Sequence, residues 1–146
     1  MDFELRPAVA SESSAIRRLI REVHINPMSL DWRRFTVAID GEGMLLGCGQ
    51  LKLHRGSIVE LASIAVVPGH RGMGIARAII ERLVAEAPRP LYLTCRSSLR
   101  PFYAKWGFVS VEVDEMPAYF RRLWRLMSIA RGLGMTSDSL SVMVLM

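Results

Sequence analysis

The chain has 146 residues, 51% of them apolar, two cysteines and a formal charge of +5. That length suits a single domain with its own core, and that composition is globular, neither disordered nor fibrous. No run of about 18 uncharged apolar residues occurs, and Met1-Asp2-Phe3-Glu4 lacks the apolar segment of a signal peptide, so neither a spanning helix nor an export signal is expected.

Cys48 and Cys95 lie in apolar, strand-like settings. They are expected to be buried thiols of a reducing, cytoplasmic protein. The basic residues are nearly all arginine and are scattered, apart from a group at 121–125. This balance favours acidic ligands, whether phosphorylated small molecules, nucleic acid or an anionic surface, without choosing among them; because the basic residues are scattered, nucleic acid is not expected.

In chain order, Phe3-Glu4-Leu5-Arg6 reads as a short first strand before Pro7. Ser11 or Ser13 is suited to cap a helix whose apolar stripe is Ile16, Leu19, Ile20 and Val23, ending before Pro27. Residues 28–35 are irregular or form a short helix. Residues 36–39 and 44–53 are strands joined by Asp40-Gly41-Glu42-Gly43. His54-Arg55-Gly56-Ser57 turns the chain into a strand over 58–67, so the first four strands are antiparallel neighbours. A helix from Ala76 to Ala87 leads to a strand at 91–94, parallel to the strand at 58–67 through a crossover. A short helix over 99–106, a strand over 108–114, a helix within 117–133 and a last strand over 140–145 complete the chain.

Residues 58–87 carry the chemistry. A β-branched strand ends at Pro68, a glycine-rich turn follows, and an amphipathic helix begins with Ala76, Ile79, Ile80, Leu83, Val84 and Ala87 as its stripe. The first N–H groups of a helix have no internal partner and sit at the positive end of its dipole. Gly72 and Gly74 remove side-chain bulk there, and Arg71 adds a fork of charged donors. A phosphate or pyrophosphate is expected at 71–76. The turn lacks the Gly-Lys-Ser/Thr of a P-loop, and Arg77 stands where a dinucleotide fingerprint needs its third small residue.

The spacing Arg71-x-x-Gly74-x-Ala76 behind Ala65-Val66-Val67-Pro68 resembles the acetyl-CoA motif of the GNAT family of N-acetyltransferases. Pro101-Phe102-Tyr103-Ala104-Lys105-Trp106-Gly107-Phe108 is similar to a second motif of that family, in the expected order. The resemblance implies an α+β fold over one domain, 1–146. Its sheet is mixed but mostly antiparallel, six- to seven-stranded, with helices on both faces and an extra helix between the last two strands.

It implies acetyl-CoA as cosubstrate, no metal, and acetyl transfer to a primary amine by direct attack in a ternary complex. The alternative is a non-catalytic protein that binds CoA as a sensor or regulatory subunit. The cofactor would lie on Arg71, Gly72, Met73, Gly74, Ile75 and Ala76. Its arm would run along Ile64, Ala65 and Val66, with a backbone N–H of Ile64 or Val66 facing the thioester carbonyl. Phe102 and Tyr103 would flank it. Cys95-Arg96-Ser97-Ser98 lacks the asparagine that many members use, so either Ser97 or Ser98 would substitute or that contact is absent.

By the same resemblance Tyr103 is the general acid for the departing thiolate, against a purely packing role. Glu60 is the base, direct or through water, against a structural strand carboxylate. Ser63, His54 and His24 are weaker candidates. Asn26, Met28, Asp31 and Trp32 would border the acceptor. The helix within 117–133 is apolar around much of its circumference, with Arg121, Arg122, Arg125 and Arg131 between. It is read as a helix packed on the sheet, with a lid, a homodimer surface or a membrane-surface contact as further readings.

Overall fold

The first strand, β1 (Glu4–Pro7), is followed by a 3₁₀ turn and α1 (Ser13–Glu22) in a computed structural model that describes residues 2–146. Next come β2 (Phe35–Ile39), β3 (Leu45–His54), β4 (Ile58–Val66) and α2 (Ile75–Glu86). The chain ends with β5 (Leu91–Arg96), α3 (Arg100–Ala104), β6 (Val109–Ser110), α4 (Ala118–Gly132) and β7 (Leu140–Leu145). The seven strands hydrogen bond in the order β1-β2-β3-β4-β5-β7-β6 and are mostly antiparallel, as expected of the fold class. No helix among the described residues is long and apolar enough to cross a membrane.

The chain forms two compact units. The first comprises Met1–Lys52 and Leu61–Ala87. In it β1 pairs with β2, and β2 with β3, all antiparallel. Ile16, Leu19 and Ile20 of α1 pack with Phe35, Val37, Cys48 and Ala65. On β3, Gly47 and Gly49 point the other way, towards α2: a Cβ on Gly49 would lie 2.6 Å from Ile64 Cδ1 and 2.8 Å from Ile79 Cγ2. Successive strand residues alternate faces, so α1 and α2 cover opposite sides of these strands.

The bare backbone of β3 lets α2 settle close. Gly49→Val is therefore expected to cost about 1–3 kcal/mol through overpacking. A urea midpoint unchanged from that of the parent protein, with unchanged slope, would refute this close packing.

Two expectations are corrected here. No serine caps α1; Glu12 instead accepts the Val9 N–H at 2.9 Å and holds Arg6 through two bonds of 2.9 and 2.7 Å. The buried stripe of α2 is Ile75, Ile79, Ile80 and Leu83, while Ala76, Val84 and Ala87 are only half-buried. The helix thus seats one residue earlier than its sequence pattern indicates, which buries Ile75 directly after the glycine turn.

The second unit comprises Leu53–Glu60 and Pro88–Met146. β5 and β7 pair antiparallel from Leu91↔Leu145 to Arg96↔Leu140, and the start of β4 joins β5 in parallel at Val59↔Leu91 and Glu60↔Tyr92. The strand expected over 108–114 is only two residues long, and Val113–Glu115 is a 3₁₀ turn. The reason is burial: Val111 and Val113 turn to pack against Met116, Phe120 and Val142. Arg121 then ties the turn to α4 by donating to the carbonyls of Met116 at 2.9 Å and Val113 at 3.3 Å.

α4 packs through one residue row. Phe120 is fully buried, with Tyr119 and Trp124 beside it. Leu126, Ile129 and Leu133 are 63%, 61% and 72% exposed, so much of the apolar circumference seen in the sequence faces outward.

Candidate active site

In the first unit β4 runs into a 3₁₀ turn, Pro68–His70, whose base is fixed by Val67 N–H on Leu46 O at 2.9 Å and His70 N–H on Val67 O at 2.8 Å. Gly72 and Gly74 then take φ of 81° and 82°, a left-handed backbone that side chains resist. The internal ladder of α2 opens with Ala78 N–H on Gly74 O at 3.1 Å. The amides of Ile75, Ala76 and Arg77, ahead of that first bond, are the donors that a helix start leaves without an internal partner. A Cβ on Gly72 or Gly74 would meet nothing within 4 Å, so the turn borders open space. No acidic residue lies in the first turn of α2, and Arg71 and Met73 are exposed while Ile75 is buried as an anchor. Arg77 is engaged with Glu81 at 3.0 Å, which leaves Arg71 as the turn's cation. An anionic phosphate group fits this arrangement.

The strand leading into the turn is irregular at Ser63, where φ is +60°. Such a residue costs about 1–3 kcal/mol and persists only where its surroundings hold it. Here the buried Gln50 amide donates to Ser63 Oγ at 2.8 Å and to Ser29 O at 3.2 Å. The Cys48 thiol lies 3.6 Å from Ser63 O. Ile64, Ala65 and Val66 follow at once, with Ala65 buried and its two neighbours half-buried. Sequence reading gave Ser63 little weight and missed Gln50, because neither belongs to a motif. Its mark is an amide side chain in an otherwise apolar strand.

Burial pushes the Cys48 thiol up to about 12 and the Cys95 thiol up to about 11, which fits inert core cysteines. Of the residues expected near an acceptor, Asn26 Oδ1 accepts Met28 N–H and Asp31 Oδ1 accepts Arg33 N–H, each at 3.0 Å. Trp32 packs on the first unit's core under the Arg33 guanidinium, and Met28 is exposed.

In the second unit Glu60 is 5% exposed and meets His54 Nε2 at 2.8 Å through Oε1. Tyr119 stacks on the His54 ring at 4.0 Å between centroids, and Phe120 meets it edge-on at 5.6 Å. Burial, and then the Glu60 charge, raises the Tyr119 phenol above its ordinary value. Glu60 is thus neither solvated nor alone.

Tyr103 sits on α3 among Phe102, Trp106 and Phe108, with ring centroids at 5.0, 6.3 and 6.3 Å. Burial, with a smaller push from Cys95, raises its phenol to about 12. The phenol therefore stays a neutral donor. Ser97 Oγ is occupied within the fold, bonded to Ser141 Oγ at 2.7 Å, Ser139 Oγ at 2.6 Å and Ser139 O at 3.1 Å. Ser98 is exposed.

A family model for the acetyltransferase (GNAT) domain matches residues 31–110, more than half of the chain. The amino-acid acetyltransferase of Mycobacterium tuberculosis is 33% identical over 75 residues, which cover 48% of this chain and 41% of that protein. The aligned region thus spans well under half of the curated relative.

Among solved structures, N-acetylglutamate synthase from Neisseria gonorrhoeae, complexed with coenzyme A and N-acetyl-glutamate, superposes with a TM-score of 0.75 at 21% identity. That match covers 100% of this chain and 36% of the synthase chain. Rv2747 from Mycobacterium tuberculosis, in complex with CoA, gives a TM-score of 0.72 at 24% identity over 98% of this chain and 99% of its own. At these identities the superpositions establish a common fold. With both sequence motifs, the strand order and the family model in agreement, the chain belongs to the GNAT acetyltransferase family.

Proposed function

We propose that this chain is an acetyl-CoA-dependent N-acetyltransferase acting as a single domain over 1–146. The observation that carries the reading is the glycine turn: two left-handed glycines opening onto unpartnered helix amides, beside an exposed Arg71, at the end of an irregular strand. The bound cosubstrate supplies an activated acetyl group as a thioester. Residues 71–76 hold its pyrophosphate, and Ile64, Ala65 and Val66 hold its arm. A backbone N–H of Ile64 or Val66 faces the thioester carbonyl oxygen, a donor worth about 3–4 kcal/mol where negative charge develops.

The acceptor is a primary amine. Its nitrogen attacks the acetyl carbon directly, a C–N bond forms and the C–S bond breaks. The amine proton leaves towards Glu60, and the thiolate takes a proton from the Tyr103 phenol. The name of the mycobacterial relative favours the α-amino group of an amino acid as acceptor.

Calorimetry with coenzyme A, followed by thiol release from acetyl-CoA over a panel of amino acids and amines, tests the reading. Arg71→Glu is expected to weaken CoA binding by about tenfold or more, the scale of one charged hydrogen bond. A folded parent protein that takes up no CoA ends the proposal. Uptake without turnover on any amine moves it to the binding-only alternative.

The Tyr103 assignment has its own signature. Its phenol is held up to about 12, so it should remain protonated across the working range. Tyr103→Phe is expected to lower kcat by about 10²-fold or more. The parent protein's rate should show no Tyr103-dependent fall between neutral pH and the ordinary tyrosine range. A fall near that ordinary value that vanishes in the Phe variant would contradict the buried-donor role.

A further inference from the structure

We infer that His54 is the group that receives the acceptor's proton, and that Glu60 acts through it as the carboxylate that orients the ring. The inference rests on the reading that the Glu60 region deprotonates the amine, and it sharpens that reading by naming the atom. Glu60 Oε1 lies 2.8 Å from His54 Nε2, and both side chains are largely shielded, at 7% and 15% exposure.

An ionised carboxylate only accepts hydrogen bonds. In the neutral ring the proton must therefore sit on Nε2, facing Glu60, and Nδ1 keeps its lone pair. The ring cannot swing away: Tyr119 lies flat on it at 4.0 Å and 25°, and Phe120 closes the edge at 5.6 Å. Tyr92 stacks in turn on Phe120 at 5.3 Å. Glu60 from β4 and Tyr119 from α4 are titratable groups packed on the imidazole, and the buried Lys52 stands two residues before it on β3.

A base oriented by a buried carboxylate and backed by aromatic rings is a device for proton transfer. In the step, the amine lone pair forms the C–N bond and the C–S bond breaks to release the thiolate, which Tyr103 protonates; the amine N–H bond breaks with its electron pair left on nitrogen, and that proton passes to Nδ1. The resulting imidazolium is stabilised by Glu60. The ring gives the proton to water before the next turnover. This also gives α4 a task beyond covering the sheet, since Tyr119 and Phe120 are its contribution to the ring's seat.

The test is chemical rescue. His54→Ala is expected to lower kcat by about 10²–10⁴, with CoA affinity unchanged by calorimetry. Added imidazole should restore turnover at least tenfold in a saturable way, because the space between Glu60 and Tyr119 accepts a free ring. Should His54→Ala melt early, His54→Gln keeps the size and an N–H for Glu60 but has no basic nitrogen, and the same loss is expected. Two outcomes overturn the inference: a His54→Ala enzyme within threefold of the parent, or a dead but folded one that imidazole does not revive.

If Glu60→Gln is inactive while His54→Ala is fully active, Glu60 works without the ring and only this inference falls. If both variants match the parent, the proposed base site itself is wrong. Independently of any acceptor, ¹⁵N NMR of the neutral His54 ring should show Nε2 protonated and Nδ1 bare. The reverse tautomer overturns the assignment.

Discussion

Glu60→Gln is expected to lower kcat by about 10²–10⁴ while leaving CoA binding unchanged. The substitution is nearly isosteric, so packing around a side chain that is 5% exposed should survive. What changes is the chemistry facing His54. The carboxylate is acceptor-only and fixes the proton on Nε2; the amide has both a donor and an acceptor end and lets the ring adopt the other tautomer. It also withdraws the negative charge that balances a protonated partner at 2.8 Å. The loss should fall on kcat rather than on the acetyl-CoA KM, because the expected cofactor residues at 71–76 lie elsewhere in the sequence. Pre-steady-state mixing of enzyme, acetyl-CoA and a responsive amine would separate the chemical step from release. A variant that retains a tenth or more of the parent's rate would remove Glu60 from the proton path.

The parts of the site that were legible in the sequence are those built from the backbone. Gly72 and Gly74 announce positive φ because few other residues tolerate it, and the apolar period after Gly74 announces a helix start. The order of the first five strands followed from short turns and one crossover for the same reason, these constraints being local, whereas the place of β7 between β5 and β6 did not. Packing between distant segments was not legible. Nothing in His54-Arg55-Gly56-Ser57 says that the histidine turns inward to Glu60, six residues on, or that a tyrosine sixty-five residues later stacks on it. Ser63 illustrates the same limit. Its left-handed backbone depends on Gln50 from β3 and, through Gln50, on Ser29 in the segment after α1, three positions with no common pattern. The strand expected over 108–114 failed for a related reason: alternation at Val111 and Val113 suits a strand, but burial against Phe120 and Val142 drew them into a turn. The sequence of α4 showed a helix apolar on most sides, yet only contacts elsewhere in the fold decide that Phe120 is the face that docks.

That docking supports the second large effect. Phe120→Ala is expected to cost about 3–5 kcal/mol of folding stability. The ring is fully buried and stands at the centre of an aromatic set, stacked on Tyr92 at 5.3 Å and edge-on to Tyr119 and His54 at 5.1 and 5.6 Å. Its loss would remove transfer free energy, the aromatic contacts, and the filler of a space bounded by Met116 and Val142. Against a typical net stability of about 5–15 kcal/mol, that is a large fraction of the total. Phe120→Leu should cost markedly less, since it keeps most of the volume. Because the same ring closes the edge of His54, the alanine variant should also lose turnover at temperatures where it remains folded, and the leucine variant should lose less. Urea unfolding of both variants, read beside their rates at low temperature, decides the matter. A loss below about 1 kcal/mol for Phe120→Ala would mean that α4 does not hold the His54–Glu60 pair in place.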